Sequence, residues 1–561
     1  MVIATDLLAG LNEGQKKVAT WFESPVVVLA GAGTGKTRAL THRIAYGVAN
    51  GHYQAENTLA LTFTQKAAAE MAGRLRTLGG EQVAARTFHS AALRQLQHFW
   101  PKLTGGFLPD IVSSKASLVA HVLETMRIAV DQAVLRDIAA EVEWRKVKSL
   151  SPDDYSKAVH MGVRSTPAGL TAEDMVEVFT RYETAKTERK RIDFEDVLLL
   201  GVGMLESEPG VLAQVRDRYR HFLVDEYQDV SPIQQRLLDL WLGPTKDVCV
   251  VGDASQTIYT FAGATSDYLL GFPDALPDAH LIRLETNYRS TTTIVDMANR
   301  VIANQPGALT LVAHGGPGPD IELIDRDTDD EEADALAKRL VALGKEGVAL
   351  GDVAILHRYS AQMLAIEGAL RHHGLAVYVQ GGKRFFDQPH VKRAVMEIRG
   401  AAVAGVQGTI AQVVTDILYG VGYQAKEPDH RGSERSTWED LRALIDLAER
   451  SDQSMTLTEF SDQLAKRQAS HDEPARDAIT LTTVHAAKGR EWPVVCVMGL
   501  TEGNFPISYA KTDTEIAEEQ RLFYVAITRA KQRLIVSLGR AARKGSASTR
   551  TSSRFLKALK A

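Results

Sequence analysis

Residues 30–37 read Ala-Gly-Ala-Gly-Thr-Gly-Lys-Thr, directly after the apolar run Val26–Leu29 and before a helical pattern. Such a strand-to-helix turn suits an anion. Gly31, Gly33 and Gly35 let backbone N–H groups turn inward, and the helix start adds the positive end of its dipole. The backbone of Gly31, Ala32, Gly33, Thr34 and Gly35 would form the cradle, Lys36 would reach β- and γ-phosphate oxygens, and Thr37 would ligate Mg²⁺. Ala30 stands where such loops usually open on glycine. A second apolar run ends in Asp225-Glu226. There one acid can hold the metal and its neighbour can polarise an attacking water. A third ends in Gly252-Asp253-Ala254-Ser255-Gln256, which places Gln256 to sense a γ-phosphate. The chemistry implied is binding of Mg-ATP and phosphoryl transfer.

Short apolar runs must position these groups. They recur at Val26–Ala30, Leu59–Phe63, Phe222–Val224 and Val248–Val251, then at Ile321–Ile324, Val353–Leu356, Val377–Val379, Val494–Val497 and Leu534–Leu538. Helical patterns follow most of them. Wholly apolar strands alternating with helices predict parallel sheets covered on both faces. The fold class is therefore α/β, with two parallel-sheet domains. Each is interrupted by a helical stretch, about Ala92–Ile192 in the first and about Val391–Ala478 in the second. Lys426–Ser436 reads as a flexible segment, and the acidic run Asp327–Asp334 as the start of a helix, where carboxylates meet the positive dipole end.

The 561 residues are too many for one core and suggest about three to four domains. A net charge of −5 gives no global attraction to nucleic acid, but a sliding contact needs only a local basic track. Ala530–Ala561 carries nine Lys or Arg and no acid, and reads either as such a contact or as a solvated, partly disordered end. Cys249 and Cys496 sit in apolar runs and read as core thiols, in keeping with a reducing cytoplasm. No stretch reaches the roughly 20 apolar residues of a membrane helix, and no secretory signal opens the chain.

With further segments the pattern becomes specific. LNEGQKKVA (Leu11–Ala19) precedes the glycine-rich turn. TFTQKAAAEM (Thr62–Met71), TFHS (Thr87–Ser90) and DFEDVLL (Asp193–Leu199) lie between it and VDEYQD (Val224–Asp229). GDASQTIYTFAGA (Gly252–Ala264), LETNYRS (Leu284–Ser290), VHAAKGREW (Val484–Trp492) and EEQRLFYVAITRAK (Glu518–Lys531) follow. In this order they resemble the motifs of the UvrD/PcrA/Rep family of superfamily-1 helicases over nearly the whole chain. The resemblance implies two RecA-like domains. Residues 1–94 and 193–276 would form domain 1A, and 95–192 a helical insertion 1B. Residues 277–390 and 479–561 would form domain 2A, and 391–478 a reduced helical insertion 2B.

The resemblance also implies roles. Gln15 would read adenine, Tyr288 would stack on it, Arg38 would lie beside the nucleotide, and Glu491 would hold the ribose. Arg289 and Arg529 would meet the γ-phosphate from the second domain, so that hydrolysis in the cleft between domains is tied to its closure. Thr62, Phe63, Thr87, His89, Phe194, Tyr259, Phe261, Arg358, His485 and Lys488 match positions that touch single-stranded DNA. Aromatics suit that work because every base has a π-face, each stack contributing roughly 1–3 kcal/mol. With no paired Cys or His nearby, His89 and His485 are not read as zinc ligands. The implied activity is an ATP-dependent, 3′-to-5′ single-strand translocase and DNA helicase. It would act as a monomer on strands and junctions, in repair or replication, in a bacterial cytoplasm at the nucleoid.

Two departures bear on this. Ala262 replaces a basic residue common in the family, and Phe261 a common Trp. The second insertion is short, as in an actinobacterial UvrD-like branch in which the motor is often followed by a tetracysteine segment and a helical HRDC module, neither found here. Two alternatives follow: a strand-dependent ATPase that does not unwind alone, or the motor subunit of a helicase–nuclease complex. No residue singled out reads a 2′-hydroxyl, so the residues leave DNA and RNA undistinguished.

Overall fold

The computed structural model describes residues 6–559 except 131, 168, 245, 360–361, 381–385, 387, 426–432, 450, 453–454, 471–476, 509 and 543–548. Residues 426–432 of the expected flexible segment therefore lie outside the described residues. The chain forms two compact units. The first runs to Tyr288 and includes Ile302–Val312; the second takes Arg289–Val301 and the chain from Ala313 on.

In the first unit six strands form one parallel sheet: β1 (Val26–Ala30), β2 (Thr58–Thr62), β3 (Ala84–Thr87), β4 (His221–Val224), β5 (Val248–Gly252) and β6 (His280–Leu284), in the order β3-β2-β4-β5-β1-β6. Alternate side chains go to opposite faces. Val27, Leu59, Leu61, Phe222, Val224, Val248 and Val250 enter one core, and Val26, Val28, Ala60, Leu223, Cys249 and Val251 the other. That double burial is why these strands read as unbroken apolar runs. Because β4, β5 and β1 are neighbours, the three chemical segments of the sequence emerge side by side at the carboxyl edge of the sheet.

Helices close around this sheet or build on it, among them α1 (Glu13–Thr20), α2 (Lys36–Ala49), α3 (Gln65–Thr77), α4 (Phe88–Thr104) and α9 (Asp196–Ser207). The helices between them are α5 (Lys115–Thr125), α6 (Gln132–Val147), α7 (Pro152–His160) and α8 (Ala172–Glu188). The last four share their own core of Leu118, Val122, Val142, Tyr155, Phe179 and Tyr182. Asp110–Ile111 pairs with Arg191–Ile192 where the chain leaves and returns.

Two boundaries expected from sequence are corrected. The one at 94/95 cuts the continuous helix α4, whose Leu96 and Phe99 pack in the core of the sheet. The one after residue 276 precedes β6, which hydrogen-bonds along β1, so residues 277–288 belong to the first unit.

The second unit holds a second six-stranded parallel sheet of β7 (Glu322–Thr328), β8 (Val353–His357), β9 (Val377–Val379), β10 (Ile479–Thr483), β11 (Trp492–Val497) and β12 (Ala530–Ala541), ordered β7-β12-β11-β8-β10-β9. The acidic run does start a helix, Asp329–Lys345. Thr328 caps it by accepting from the Glu331 amide, and four carboxylates lie in its first turn. Helices Pro389–Val403, Ile410–Val421, Ser433–Glu449 and Leu457–Ser470 interrupt the sheet and pack about Val391, Ile398, Val414, Leu418, Leu444 and Phe460.

The basic end of the chain is neither a free contact nor a loose tail where it is described. Arg540 pairs with Asp325, Arg550 with Asp329 and Arg554 with Glu502, and Phe555 and Leu556 are buried. Both cysteines are buried free thiols. No helix among the described residues is long and apolar enough to cross a membrane.

Leu96 tests the first correction. It is fully buried in the sheet's core. Leu96→Ala is expected to lower the unfolding free energy by about 2–5 kcal/mol in a urea titration. A loss under about 1 kcal/mol would mean that this part of α4 does not belong to that core.

Candidate nucleotide and strand site

A cradle of amides works only if the carbonyls of the same residues are satisfied elsewhere. In residues 31–34 they are. The Gly31 carbonyl accepts from the Thr34 amide and from Thr34 Oγ1 at 2.8 Å. Asn287 Nδ2 donates to the Ala32 carbonyl at 2.7 Å, the Tyr288 amide to Gly33 at 2.9 Å, and Gln15 Nε2 to Thr34 at 2.9 Å. Gly35 starts α2 with φ +81°, and a Cβ there would lie 2.7 Å from Gln15 Nε2. The turn therefore requires glycine both for its backbone and for its neighbour.

Gln15 is 3% exposed, and its amide braces the turn. It also closes a capping box with Asn12 at the start of α1. Asn12 Nδ2 in turn donates to the hydroxyl of Tyr288 at 2.6 Å, and Tyr288 is half exposed. Arg38 reaches the Gly10 carbonyl at 3.2 Å. Asn12 and Asn287 were not anticipated. Asn287 lies inside LETNYRS, but only the pairing of β6 with β1 puts it against residue 32.

Beside the turn, Thr37 Oγ1 donates to Asp225 Oδ2 at 2.6 Å. Burial, and then the adjacent Glu226, push the Asp225 carboxyl up to about 6, while Thr37 and Lys36 act in the opposite sense. Two hard oxygens this close, one on a carboxylate strained by burial, fit Mg²⁺, whose charge would relieve it. Lys36 Nζ lies 3.6 Å from Glu226 Oε2. Glu226 holds a left-handed backbone, φ 55° and ψ 40°, which a non-glycine residue adopts only where its surroundings impose it.

From Glu226 a chain of hydrogen bonds crosses to the next strand. Gln228 Nε2 donates to Glu226 Oε2, and Gln228 Oε1 accepts from the Asp253 amide at 3.0 Å. Asp253 Oδ2 accepts from Gln256 Nε2 at 2.7 Å, and its Oδ1 accepts from the Ser255 amide. Gln228 and Asp253 lie within recognised segments, yet nothing in the sequence marked them as the link.

Past Gln256 the chain reaches exposed aromatics. Tyr259 stacks with Phe63 at 5.4 Å between centroids, and Phe261 meets Tyr259 edge-on at 6.2 Å. His89 stacks on Phe194 at 4.0 Å with planes 10° apart. Phe63, Phe194 and Phe261 are 41%, 51% and 57% exposed, so none is a core residue. Burial lowers His89 to about 4, so its imidazole is neutral at pH 7 and stacks as an uncharged ring. Thr62 and Thr87 end the neighbouring strands β2 and β3. The Thr87 hydroxyl caps α4, and the buried Thr62 hydroxyl has no partner among the described residues.

The second unit carries the remaining candidates. Arg289 Nε donates to Glu491 Oε2 at 2.5 Å and its Nη1 to the Thr528 carbonyl; Lys531 also pairs with Glu491. Arg529 is 1% exposed, and its fork donates to Val525, Arg490 and Thr528 oxygens. Arg358 turns its fork inward onto Glu519, with contacts of 2.7–3.1 Å, instead of presenting it at the surface. His485 and Lys488 share the turn after β10. Burial, Arg358 and Lys488 lower His485 to about 4.

Two all-parallel sheets, the first with a phosphate-type turn, a threonine–aspartate pair and a polar chain at its carboxyl edge, define an α/β P-loop enzyme with two RecA-like domains. Family models carry this further. Residues 11–277 match the UvrD/REP helicase N-terminal domain, and residues 282–404 and 408–541 match the UvrD-like helicase C-terminal domain. The chain belongs to the UvrD/REP helicase family. It is 39% identical over its full length to the ATP-dependent DNA helicase UvrD2 of Mycobacterium tuberculosis, covering 83% of that protein. It is 29% identical to the ATP-dependent DNA helicase PcrA of Leuconostoc citreum and 28% identical to that of Bacillus subtilis. Each of those alignments spans 95% of this chain, and 82% and 83% of the relative.

Asn287 offers a test of the brace. Asn287→Ala leaves the buried Ala32 carbonyl without this donor. The ATP concentration for half-maximal turnover should rise about tenfold, equivalent to about 1.4 kcal/mol. Unchanged half-saturation would show that the turn holds its shape without it.

Proposed function

We propose that this chain is an ATP-dependent DNA helicase motor that hydrolyses Mg-ATP and moves 3′ to 5′ along single-stranded DNA, in repair or replication. One observation carries the reading. In the first unit, hydrogen bonds run without a break from Glu226 through Gln228 and Asp253 to Gln256, three residues before Tyr259. A group suited to γ-phosphate chemistry is thus joined to an exposed aromatic loop suited to gripping a strand.

In this reading the amides of residues 31–35 and the Lys36 ammonium hold the phosphates. Thr37 and Asp225 hold Mg²⁺, which when bound neutralises charge on the phosphate oxygens. Glu226 accepts a hydrogen bond from the attacking water and orients it in line with the γ-phosphorus. Gln256 registers whether the γ-phosphate is present and passes that state to Tyr259. Arg289 and Arg529 supply positive charge from the second unit where it develops in transfer, and Glu491 positions the ribose. Tyr288 stacks on adenine, held by Asn12. Phe63, His89, Phe194, Tyr259 and Phe261 stack on bases in turn, with Thr62, Thr87, His485 and Lys488 along the strand. Arg358, its fork held by Glu519, lies along the strand with them.

A phosphate-release assay with and without oligo-dT tests the first part. Turnover should rise at least about tenfold with the strand, and Lys36→Ala should abolish it while the thermal melt stays intact. Full turnover in that variant would refute the assignment of the phosphate site. Duplexes with a 3′ or a 5′ single-strand tail test polarity: unwinding should need the 3′ tail, and preference for the 5′ tail would reverse the direction. Strong strand-stimulated turnover with neither duplex opened would identify a translocase that does not unwind alone.

A further inference from the structure

A cluster of buried charges lies behind Phe194. Lys146, from the last turn of α6, places Nζ 2.6 Å from Asp193 Oδ2, 2.6 Å from Asp196 Oδ1 and 2.8 Å from Glu183 Oε1. Lys186, near the end of α8, meets Glu183 Oε2 at 2.8 Å, Asp193 Oδ2 at 3.2 Å and Asp196. The side chains of Lys146, Lys186 and Asp193 are 1%, 3% and 0% exposed. Glu183, Asp193 and Asp196 stand close enough together to hold a cation. Two ammonium groups already occupy that role, so the cluster is an ion-pair lattice.

Such a lattice is a poor way to gain stability. Taking charges out of water costs about what their mutual attraction returns, and packed apolar side chains would often serve as well. What it does supply is fixed geometry. Asp193 and Asp196 close the turn between them reciprocally, each carboxylate accepting from the other's amide, at 2.9 and 2.8 Å. Phe194 stands at the tip of that turn, stacked on His89. Two lysines clamp this turn from behind.

The same turn of α6 reaches the other aromatic loop. Gly263 ends the short turn Thr260–Ala262 with φ +96°, and a Cβ there would lie 2.6 Å from Val147 Cγ1. Consecutive residues of the inserted helix thus abut the bases of both loops: Lys146 the Phe194 turn, Val147 the Tyr259–Phe261 turn.

We infer that the last turn of α6 is a positioning element that sets the spacing between the His89/Phe194 stack and the Tyr259/Phe261 group, so that successive bases of one strand meet both. Lys146 and Val147 are its positioning residues, with Lys186 of α8 backing the same carboxylates; none touches the strand. The inference rests on the proposal above that these aromatics hold single-stranded DNA. It gives the first insertion a role within the motor that does not depend on contact with a duplex.

The test uses the full chain as Lys146→Met and, separately, Val147→Ala. Thermal melting, strand-free ATP turnover, the oligo-dT concentration for half-maximal stimulation, and quenching of 2-aminopurine within a bound oligonucleotide are measured for each. Lys146→Met should keep strand-free turnover within about twofold, raise the half-stimulating strand concentration about tenfold, and weaken the quenching, as for the loss of about one base stack. Val147→Ala should move the last two readouts the same way by a smaller factor. If both variants melt cooperatively and match the parent in strand concentration and quenching, the inference is overturned. If Lys146→Met fails to fold, Val147→Ala decides alone: a shifted strand response supports positioning, and a parental one shows that the lattice serves folding only. A parent chain that neither binds nor quenches the oligonucleotide overturns the functional reading as well; a parent that does both, beside unchanged variants, overturns this one alone.

Discussion

Backbone amides can face a phosphate only while the carbonyls of the same peptides are held elsewhere, and the first unit is organised around that constraint. The carbonyls of residues 31–34 accept from Thr34, Asn287, Tyr288 and Gln15. Three of those donors come from outside the turn, two from the chain just after β6 and one from α1. The edge strand β6 is therefore more than the last strip of the sheet. By pairing with β1 it delivers Asn287 and Tyr288 to the turn, and through Tyr288 it meets the capping residue of α1.

The carboxyl edge of a parallel sheet lets neighbouring strand ends act together. β4 ends on Asp225 and Glu226, β5 on Gly252 and Asp253, and β1 on the phosphate turn. Their adjacency lets Gln228 span two strand ends with a single amide, donating to Glu226 and accepting from Asp253. Burial raises the carboxyls of Asp225 and Asp253 above their ordinary range. The same hydrogen bonds join the Glu226 strand end to Gln256 through Gln228 and Asp253. The helical insertion then frames the result from behind, through the ion pairs at Lys146 and the contact of Val147 with Gly263.

The second unit repeats the architecture with a different emphasis. Among its candidate groups the arginines are each held by their own unit: Arg289 by Glu491, Arg529 by Val525, Arg490 and Thr528 oxygens, Arg358 by Glu519. A guanidinium with several fixed acceptors is oriented in advance, which is what a charge-stabilising group requires. The basic residues at the end of the chain follow the same rule. Arg540, Arg550 and Arg554 are matched by Asp325, Asp329 and Glu502, partners far away in sequence. A charge count along the chain could not reveal that match.

The fold class was written in the sequence, together with the segments that the carboxyl edge of the first sheet brings side by side. The strands buried on both faces are nearly pure Val, Ile and Leu, so Val26–Ala30, Val248–Gly252 and Val353–His357 were legible. The glycine-rich turn before α2 was legible because a strand running into glycines and then a helix start allows few other backbone paths. Strands with a different environment were not. Ala84–Thr87 and His280–Leu284 are edge strands with polar or charged residues on a solvated side, and Ile479–Thr483 alternates threonine with apolar residues. Missing His280–Leu284 is what misplaced the boundary after residue 276. Tertiary structure alone decided the partners of polar groups: Asn287 with residue 32, Gln228 with Asp253, Arg358 with Glu519, Lys146 with Asp193. Burial pattern is local and periodic, so it is written along the chain. The choice of partner for a buried donor or charge is made across tens to hundreds of residues, and only the folded backbone brings those groups together.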